Sequence, residues 1–391
     1  MTSMRVIKPD AEADVHDAIR DAARVATPLA IEGNGTKRSL GRTVGSETVL
    51  RMAGLTGITM YEPAEMVFSA RAGTPMEEIE AALAAHGQCL GFEPGDHGPL
   101  WGEPPDRGTI GGVVAAGLAG PRRFAAGAAR DHLLGFTAIN GKGERFKAGG
   151  RVVKNVTGYD LPKLAAGSFG TLFVMVDVTL RAVPRGVGRA VLGVEGLKPS
   201  DALSLLRTIA GTPFEPTGLA YLPATVAARI HEPPLAVIRL EGQADGVKAR
   251  AEELQRGFAP TAKILDQQRA DDLFRAIGDA HPLFERDTAI CRLSIPPSRA
   301  DQALAALKPK SWFADWAGGA LWLEFDRAAN AVHDAARSLG GHATFYRAAG
   351  APADLHVFPP CDAATMALTR QLKHAFDPQR ILNPGRMYAG A

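Results

Sequence analysis

The first hundred residues alternate between amphipathic helix patterns and short apolar runs. Residues 11–26, AEADVHDAIRDAARVA, place apolar side chains at helical spacing and predict a helix, and the following TPLAIEG predicts a strand that leads into a glycine-rich turn. A second strand is predicted near residues 66–72. After it, a helix is predicted to begin beyond Thr74, with Pro75 in its first turn, and to end near Gly87, before another strand. This part of the chain therefore predicts alternating β and α elements.

The pattern changes after Gly108. The small-residue run GTIGGVVAAGLAG is compatible at most with a short, closely packed helix, and HLLGFTAINGKGERFKAGG predicts a hairpin that turns at Asn140-Gly141. Residues 149–172, GGRVVKNVTGYDLPKLAAGSFGTL, contain five glycines. Glycine disfavours a helix or a plain strand, so we expect short strands and tight turns in which the backbone closely approaches another group.

The remaining sequence is more regular. A long strand, TLFVMVDVTLRAVPR, is closed by Pro184, and beyond it apolar strand patterns alternate with helix patterns. Strands are predicted at 235–242, 289–296, 319–326 and 342–348; helices are predicted in ADGVKARAEELQRGF, SRADQALAALK and ANAVHDAARSLG; and a C-terminal helix is predicted to stop at Asp377-Pro378. We therefore expect an α+β protein with domains at 1–187 and 188–375, the second having a mostly antiparallel sheet with helices on one face, and a tail at 376–391.

Composition narrows the class of protein. The chain has 391 residues, 46% hydrophobic and 22% charged, and its 44 basic and 42 acidic residues nearly cancel, which argues against nucleic acid as a partner. No apolar segment suits a signal peptide or a membrane span, so we expect a cytoplasmic protein. The three cysteines, Cys89, Cys291 and Cys361, are too widely spaced for a disulfide framework, an iron–sulfur site or a structural zinc site.

Two glycine-rich segments are candidates for ligand contact. EGNGTKRSLG, residues 32–41, follows a strand and offers several backbone N–H groups beside Lys37 and Arg38, as an anion-binding nest does. It is not a Rossmann fingerprint, because Arg38 stands where GxGxxG needs glycine, and taken alone the pattern favours a structural turn. The run at 108–120 fits either bare backbone against a flat ligand or close helix-to-strand packing.

Read together, the motifs resemble a known family. They are TPLAIEGNGTKRSLGR, ARAGTPMEEIEAALAAHGQCLGFEP, GLAGPRR, RVVKNVTGYDLPKLAAGSFGTL, GGHAT and NPGRMYA, and they span nearly the whole chain. The sequence is similar to FAD-binding proteins of the vanillyl-alcohol oxidase and p-cresol methylhydroxylase type and, within them, resembles the E-subunit family of bacterial glycolate oxidase. The fold implied is a two-part FAD-binding domain with a C-terminal α+β cap.

The resemblance also implies cofactor residues. The first loop would wrap the diphosphate, GTIGG would lie along the flavin, and the 149–172 segment would approach the cofactor. The residues so implied are Gly33, Asn34, Gly35, Thr36, Lys37, Pro94, Gly95, Thr109, Ile110, Gly111, Gly112, Ala115, Asp131, Leu133, Gly158, Tyr159, Asp160, Gly167, Gly170 and Arg386. Covalent attachment in this family commonly uses a histidine in the first loop. Because Thr36-Lys37 stands there instead, we expect non-covalent FAD.

For the cap, the resemblance implies a flavin-dependent oxidation of a small 2-hydroxy acid. Carboxylate binding and proton removal need an arginine and a base, for which His342, Arg347, Arg239 and Tyr221 are the candidates. Catalytic relatives typically carry an HxGDGNxH-like segment, whereas this chain has GGHATFYRAAG. This favours a flavoprotein subunit beside a catalytic flavoprotein subunit and an iron–sulfur subunit, with any membrane association through those partners. A self-sufficient FAD-dependent dehydrogenase and a cofactor-free scaffold remain the alternatives.

Overall fold

The structure, a computed structural model, describes residues 4–151, 158–280 and 283–390. Its strands are β1 (Arg5–Ile7), β2 (Leu29–Glu32), β3 (Thr48–Arg51), β4 (Ile58–Glu62), β5 (Val67–Arg71), β6 (Gln88–Cys89), β7 (Leu133–Asn140), β8 (Arg145–Gly149), β9 (Phe173–Arg181), β10 (Val183–Pro184), β11 (Gly188–Glu195), β12 (Gly218–Leu222), β13 (Leu235–Gly242), β14 (Lys263–Ile264), β15 (Ala289–Ser294), β16 (Ser311–Asp315), β17 (Ala320–Phe325) and β18 (His342–Arg347). Its helices are α1 (Glu12–Arg24), α2 (Met76–Ala84), α3 (Ile110–Ala116), α4 (Arg123–Ala126), α5 (Ala129–His132), α6 (Leu161–Ala165), α7 (Pro199–Ala210), α8 (Ala224–Ala227), α9 (Ala244–Gly257), α10 (Gln267–Asp279), α11 (Ala300–Leu307), α12 (Ala331–Ser338) and α13 (Ala363–Phe376). Each of these helices is too short or too polar to cross a bilayer.

The chain forms two compact units. Unit 1 comprises Met1–Leu118, Gly127–Pro184 and Cys361–Ala391, and unit 2 comprises Ala119–Ala126 and Arg185–Pro360. The predicted third segment began at residue 376, whereas unit 1 resumes at Cys361. The physical reason is the packing of α13, since Phe376 lies 5.3 Å from the ring of Phe173 in the unit 1 core.

Unit 1 contains a parallel sheet and an antiparallel sheet. The parallel sheet has the order β1-β3-β2, and the larger antiparallel sheet has the order β4-β5-β9-β7-β8. The C-terminal segment adds to β2, because the Leu29 N–H donates to Ile381 O at 2.7 Å and the Asn383 N–H donates to Leu29 O at 3.0 Å. The C-terminal segment therefore lies along β2, the strand that leads into the glycine-rich loop.

Unit 2 is built on one eight-stranded antiparallel sheet, in the order β14-β11-β13-β12-β16-β17-β15-β18. One face packs against α7, α9, α11 and α12 in a continuous apolar core. The prediction of helices on one face is incomplete, because α10 packs on the opposite face, where its Phe274 ring lies 4.1 Å from the Arg239 guanidinium carbon. The α+β class with antiparallel sheets is confirmed.

Several local predictions are confirmed, among them α1, α2, the strands β5, β13 and β18, and the hairpin of β7 and β8. The segment 149–172 differs from its prediction of strands and turns. Its described part contains helix α6, which begins after Asp160 because the Asp160 carboxylate accepts a hydrogen bond from the Lys163 N–H. The middle of the segment, including Lys154 and Asn155, lies outside the described residues.

Candidate functional site

A cavity of about 480 Å³ opens in unit 1 between the glycine-rich loop after β2, helix α3 and the C-terminal segment. Strand β2 ends at Glu32, and the loop that follows supplies one wall. The Glu32 carboxylate fixes the start of this loop, since it accepts hydrogen bonds from Arg38 Nε at 3.0 Å and from Arg51 Nε at 2.8 Å. The predicted cofactor residues that line the cavity are Gly33, Asn34, Gly35, Thr36, Lys37, Thr109, Gly111, Gly112, Ala115, Gly170 and Arg386.

The loop wall has unpaired backbone donors. Within the described part of the chain, the N–H groups of Asn34, Gly35, Thr36 and Lys37 donate no hydrogen bond to another residue, although Gly35 and Thr36 are buried. Buried N–H groups are almost always paired. Gly35 has φ +79°, a left-handed conformation that favours glycine and that occurs in anion-binding nests. Four successive free donors therefore make this wall suited to the oxygens of a diphosphate.

Helix α3 forms the wall of the cavity opposite the loop, and only one side of the helix faces the cavity. Its N-cap residue Thr109 accepts a hydrogen bond from the Gly112 N–H at 3.3 Å. A Cβ atom built on Gly111 would lie 2.7 Å from the Ala72 carbonyl oxygen, whereas one built on Gly112 meets only the Thr109 hydroxyl, at 3.1 Å. Gly112 and Ala115, three residues apart, line the cavity and are half-buried. Gly111 is therefore required for packing against Ala72, and Gly112 leaves room in the cavity.

Lys37 supplies positive charge to the loop wall. Burial lowers the pKa of Lys37 from its ordinary value to about 8, and Asp96 acts in the opposite direction. The Lys37 ammonium group donates to Thr36 Oγ1 at 3.3 Å. An anion in the cavity would restore the favourable charge environment that burial removes. Asp96 also shows that the segment directly after Pro94 and Gly95 lies near the loop, although neither of these two residues lines the cavity.

The C-terminal segment holds the loop in place. Arg386 donates from Nη2 to Lys37 O at 2.7 Å, and burial lowers its pKa to about 10. Asn383 donates to Phe169 O at 2.7 Å and accepts from the Ile31 N–H at 2.8 Å. The sequence interpretation gave a role to Arg386 but missed Asn383, although both belong to the NPGRMY motif. The signal was present, since a left-handed Asn before proline is typical of a constrained turn.

The other predicted cofactor residues do not line the cavity. Ile110 and Leu133 are buried in the unit 1 core, and the Asp131 carboxylate caps α5 by accepting from the Ala128 N–H at 2.9 Å. The remaining ones are Gly158, Tyr159, Asp160 and Gly167, together with Pro94 and Gly95. Tyr159 is 92% exposed. Gly158, Tyr159 and Asp160 adjoin residues 152–157, which lie outside the described part of the chain, and their contact with FAD stays a prediction.

The structure separates the four residues predicted for catalysis. Arg239 and Tyr221 are inside unit 2, and their polar atoms are satisfied there: Arg239 Nη2 donates to Thr217 O at 3.0 Å, and the Tyr221 hydroxyl donates to Leu197 O at 2.9 Å. Arg347 donates from Nε to Thr288 O at 2.6 Å. These contacts make the three side chains part of the framework of unit 2. His342, the first residue of β18, is exposed.

Comparisons with known proteins agree with the geometry of unit 1. A family model described as FAD binding domain matches residues 4–149, and one described as FAD linked oxidases, C-terminal domain, matches residues 360–387. The two matches contain the glycine-rich loop, α3, Asn383 and Arg386, which all line the cavity.

Among curated proteins, glycolate oxidase subunit GlcE of Escherichia coli (strain K12) is 37% identical over 375 residues, which is 96% of this chain and 95% of the relative. A D-lactate dehydrogenase of Archaeoglobus fulgidus is 27% identical over 205 residues, which is 52% of this chain and 44% of the relative. A solved structure of alkyldihydroxyacetonephosphate synthase has a TM-score of 0.67 at 16% identity and covers 97% of this chain and 76% of that chain. The last likeness concerns the fold alone.

Proposed function

We propose a function on the premise that this chain belongs to the family of the glycolate oxidase subunit GlcE and is an FAD-dependent oxidoreductase with an FAD binding domain. In our proposal it is the FAD-binding subunit of a multi-subunit glycolate oxidase that converts glycolate to glyoxylate. The finer assignment, in which its partners are a catalytic flavoprotein subunit and an iron–sulfur subunit, is part of the same proposal.

The observation that carries the proposal is the wall of unpaired donors at Asn34–Lys37 opposite the open surface of α3. A diphosphate offers oxygen acceptors to these N–H groups and a negative charge to Lys37. Gly112 and Ala115 leave backbone and a methyl group where a larger side chain would fill the space. The residues of this cavity therefore fit FAD, with the diphosphate at the loop and the remainder of the cofactor along α3.

The lining chemistry supports non-covalent binding. The described residues that line the cavity include neither a histidine nor a cysteine, the side chains from which a flavin bond is usually made. The bound flavin supplies the electron acceptor for oxidation of the alcohol. The role of the protein residues is to bind and orient it: the loop donors fix the diphosphate, Lys37 offsets its charge, and Arg386 and Asn383 keep the loop from opening.

Electron transfer out of this chain needs a partner in the proposal. Oxidation of glycolate to glyoxylate releases two electrons and two protons, and an iron–sulfur cluster that accepts electrons usually needs four thiolate ligands. The chain has three cysteines, far apart in sequence. This supports a relay to another subunit rather than to a cluster held within this chain.

Anaerobic reduction tests the proposal. Glycolate is added without oxygen to the purified FAD-loaded chain and, separately, to the chain assembled with its partner subunits, and the visible flavin absorbance is followed. We expect bleaching in the assembled complex. Bleaching by the isolated chain would identify a self-sufficient dehydrogenase, and an assembled complex whose flavin absorbance does not respond to glycolate would contradict the proposed substrate.

A further inference from the structure

Strands β15, β17 and β18 of unit 2 present two chemically different faces. Side chains alternate along a strand, so Cys291 and Leu293 of β15 enter the apolar core while Arg292 between them points to the opposite face. Arg292 is paired in register with Trp322 of β17, and Tyr346 of β18, which lies at an irregularity of the β15–β18 register, contacts the same arginine. Arg292 is therefore placed among aromatic side chains on the face away from the core.

The Arg292 guanidinium group lies against three aromatic rings. Its central carbon is 5.7 Å from the ring centroid of Trp316, 5.8 Å from that of Trp322 and 5.2 Å from that of Tyr346. These distances are within the range of cation–π attraction. The three aromatic residues are nearly fully buried and Arg292 itself is half-buried, so the rings shield part of the guanidinium group from water.

Within the part of the chain that the structure describes, Arg292 lacks the anionic partner that such a position ordinarily has. Among the described residues, no carboxylate forms an ion pair with it, and its Nη1 atom is buried without a hydrogen-bond acceptor. For comparison, the half-buried Arg229 of the same unit donates to Glu324 at 2.9 Å. A charged donor removed from water and left without an acceptor is unfavourable. The Arg292 guanidinium group thus keeps a donor that an external acceptor would satisfy.

A second cation strengthens the positive field at this place, and His342 lies within that field. The Arg123 guanidinium carbon lies 5.1 Å from the Trp316 ring centroid. Desolvation, together with Arg292 and Arg123, lowers the pKa of His342, so this side chain is neutral at pH 7 and its imidazole can accept or donate a hydrogen bond. We name Arg292, Arg123 and His342, with the rings of Trp316, Trp322 and Tyr346, the arginine–aromatic cluster.

We propose that the arginine–aromatic cluster is a binding site for a small carboxylate, with the Arg292 guanidinium group as its principal ligand. A planar fork of N–H donors matches the two oxygens of a carboxylate, and the aromatic walls strengthen that pairing by excluding water. The identification of the ligand as a two-carbon hydroxy or oxo acid rests on the proposed function. The existence of a carboxylate site in unit 2 does not.

Titration of the full-length, FAD-loaded chain tests the proposal. Glycolate and oxalate are the probes, at constant ionic strength, and ethylene glycol is the uncharged counterpart of glycolate. Two of the four tryptophans of the chain belong to the cluster, so intrinsic fluorescence reports binding, and calorimetry gives an independent affinity. We expect saturable binding of the two carboxylates and none of ethylene glycol. Absence of saturable carboxylate binding would overturn the proposal.

Three variants test whether Arg292 binds the carboxylate. Arg292→Gln should weaken carboxylate affinity at least tenfold, and Arg292→Lys, which keeps the charge but loses the fork, should give an intermediate loss. Arg337→Gln is the matched control, because Arg337 lies on α12 and its side chain is 63% exposed. Unchanged affinity in both Arg292 variants would refute the site. If Arg292→Gln does not fold, the carboxylate affinity of Arg292→Lys tests the site. FAD content is measured in each protein, so a failure of the FAD assignment is distinguished from a failure of this site.

Discussion

Substitution of Gly112 tests whether this position of α3 forms a wall of the FAD site or only packs against neighbouring protein. Gly112 and its neighbour Gly111 belong to the same GTIGG motif and both line the cavity, but a Cβ on Gly111 would meet Ala72 whereas one on Gly112 would not. A leucine at position 112 projects into the cavity, and its Cβ meets only the Thr109 hydroxyl at 3.1 Å. Because Gly112 has helical geometry, the side chain itself favours the helix by about 0.5–1 kcal/mol over glycine. We therefore expect Gly112→Leu to fold with nearly the stability of the wild-type chain.

The effect on FAD follows from overpacking. Forcing an additional side chain into an occupied, well-packed space costs about 1–3 kcal/mol. If FAD lies along α3, the dissociation constant of FAD should rise by roughly 5- to 150-fold, since about 1.4 kcal/mol is a factor of ten.

The Gly111→Ala substitution should instead change the stability of the fold. Its Cβ would lie 2.7 Å from the Ala72 carbonyl oxygen, so this substitution should lower the free energy of unfolding by about 1–3 kcal/mol.

Flavin fluorescence quenching measures the affinity, and urea denaturation of the FAD-free chain measures the stability. Gly246→Leu is a suitable control, because Gly246 lies in α9 of unit 2 and a Cβ there has no neighbour within 4 Å. It should keep wild-type FAD affinity. Wild-type FAD affinity in a folded Gly112→Leu protein would refute the assignment of α3 as a cofactor wall.

Two further predictions concern buried lysines of unit 1. The pKa of Lys37 is lowered to about 8 when no anion is bound, and the FAD diphosphate should raise it. The affinity for FAD should therefore be highest below pH 8 and fall as the pH rises toward the higher pKa of the complex. The Lys37→Met variant should bind FAD more weakly and show no such decline. Equal pH profiles of the two proteins in fluorescence titrations would contradict this. Lys373 is 3% exposed and donates to Asp377 at 2.6 Å, to Thr171 O and to Leu382 O, so Lys373→Met should lower the free energy of unfolding by about 3–5 kcal/mol in urea denaturation. A loss below about 1 kcal/mol would show that the buried pair contributes little.

The sequence predicted those features that depend on local patterns. Helix α1 follows from apolar residues at helical spacing, and the β7–β8 hairpin follows from Asn140-Gly141 between strand patterns. The glycine-rich loop was also recognisable, because consecutive small and polar residues after a strand are a local signal. These predictions needed no knowledge of which distant segments meet.

Features that depend on distant contacts were not predictable in the same way. Nothing local distinguishes Gly111 from Gly112, since only the position of Ala72 decides which of these two cavity-lining glycines also packs against a neighbouring segment. Arg292 was missed because its aromatic neighbours come from strands joined by non-local pairing. Conversely, Arg239 had a suitable residue type for substrate binding, but its strand places it in the interior of unit 2.

The most direct test of the central claim, that the cavity of unit 1 holds non-covalent FAD, is the flavin content of the chain purified alone. We expect a yellow protein with about one FAD per chain, released into the supernatant when the protein is precipitated with acid. A folded but colourless chain that takes up no added FAD would contradict the claim, and flavin that stays with the acid precipitate would contradict non-covalent binding.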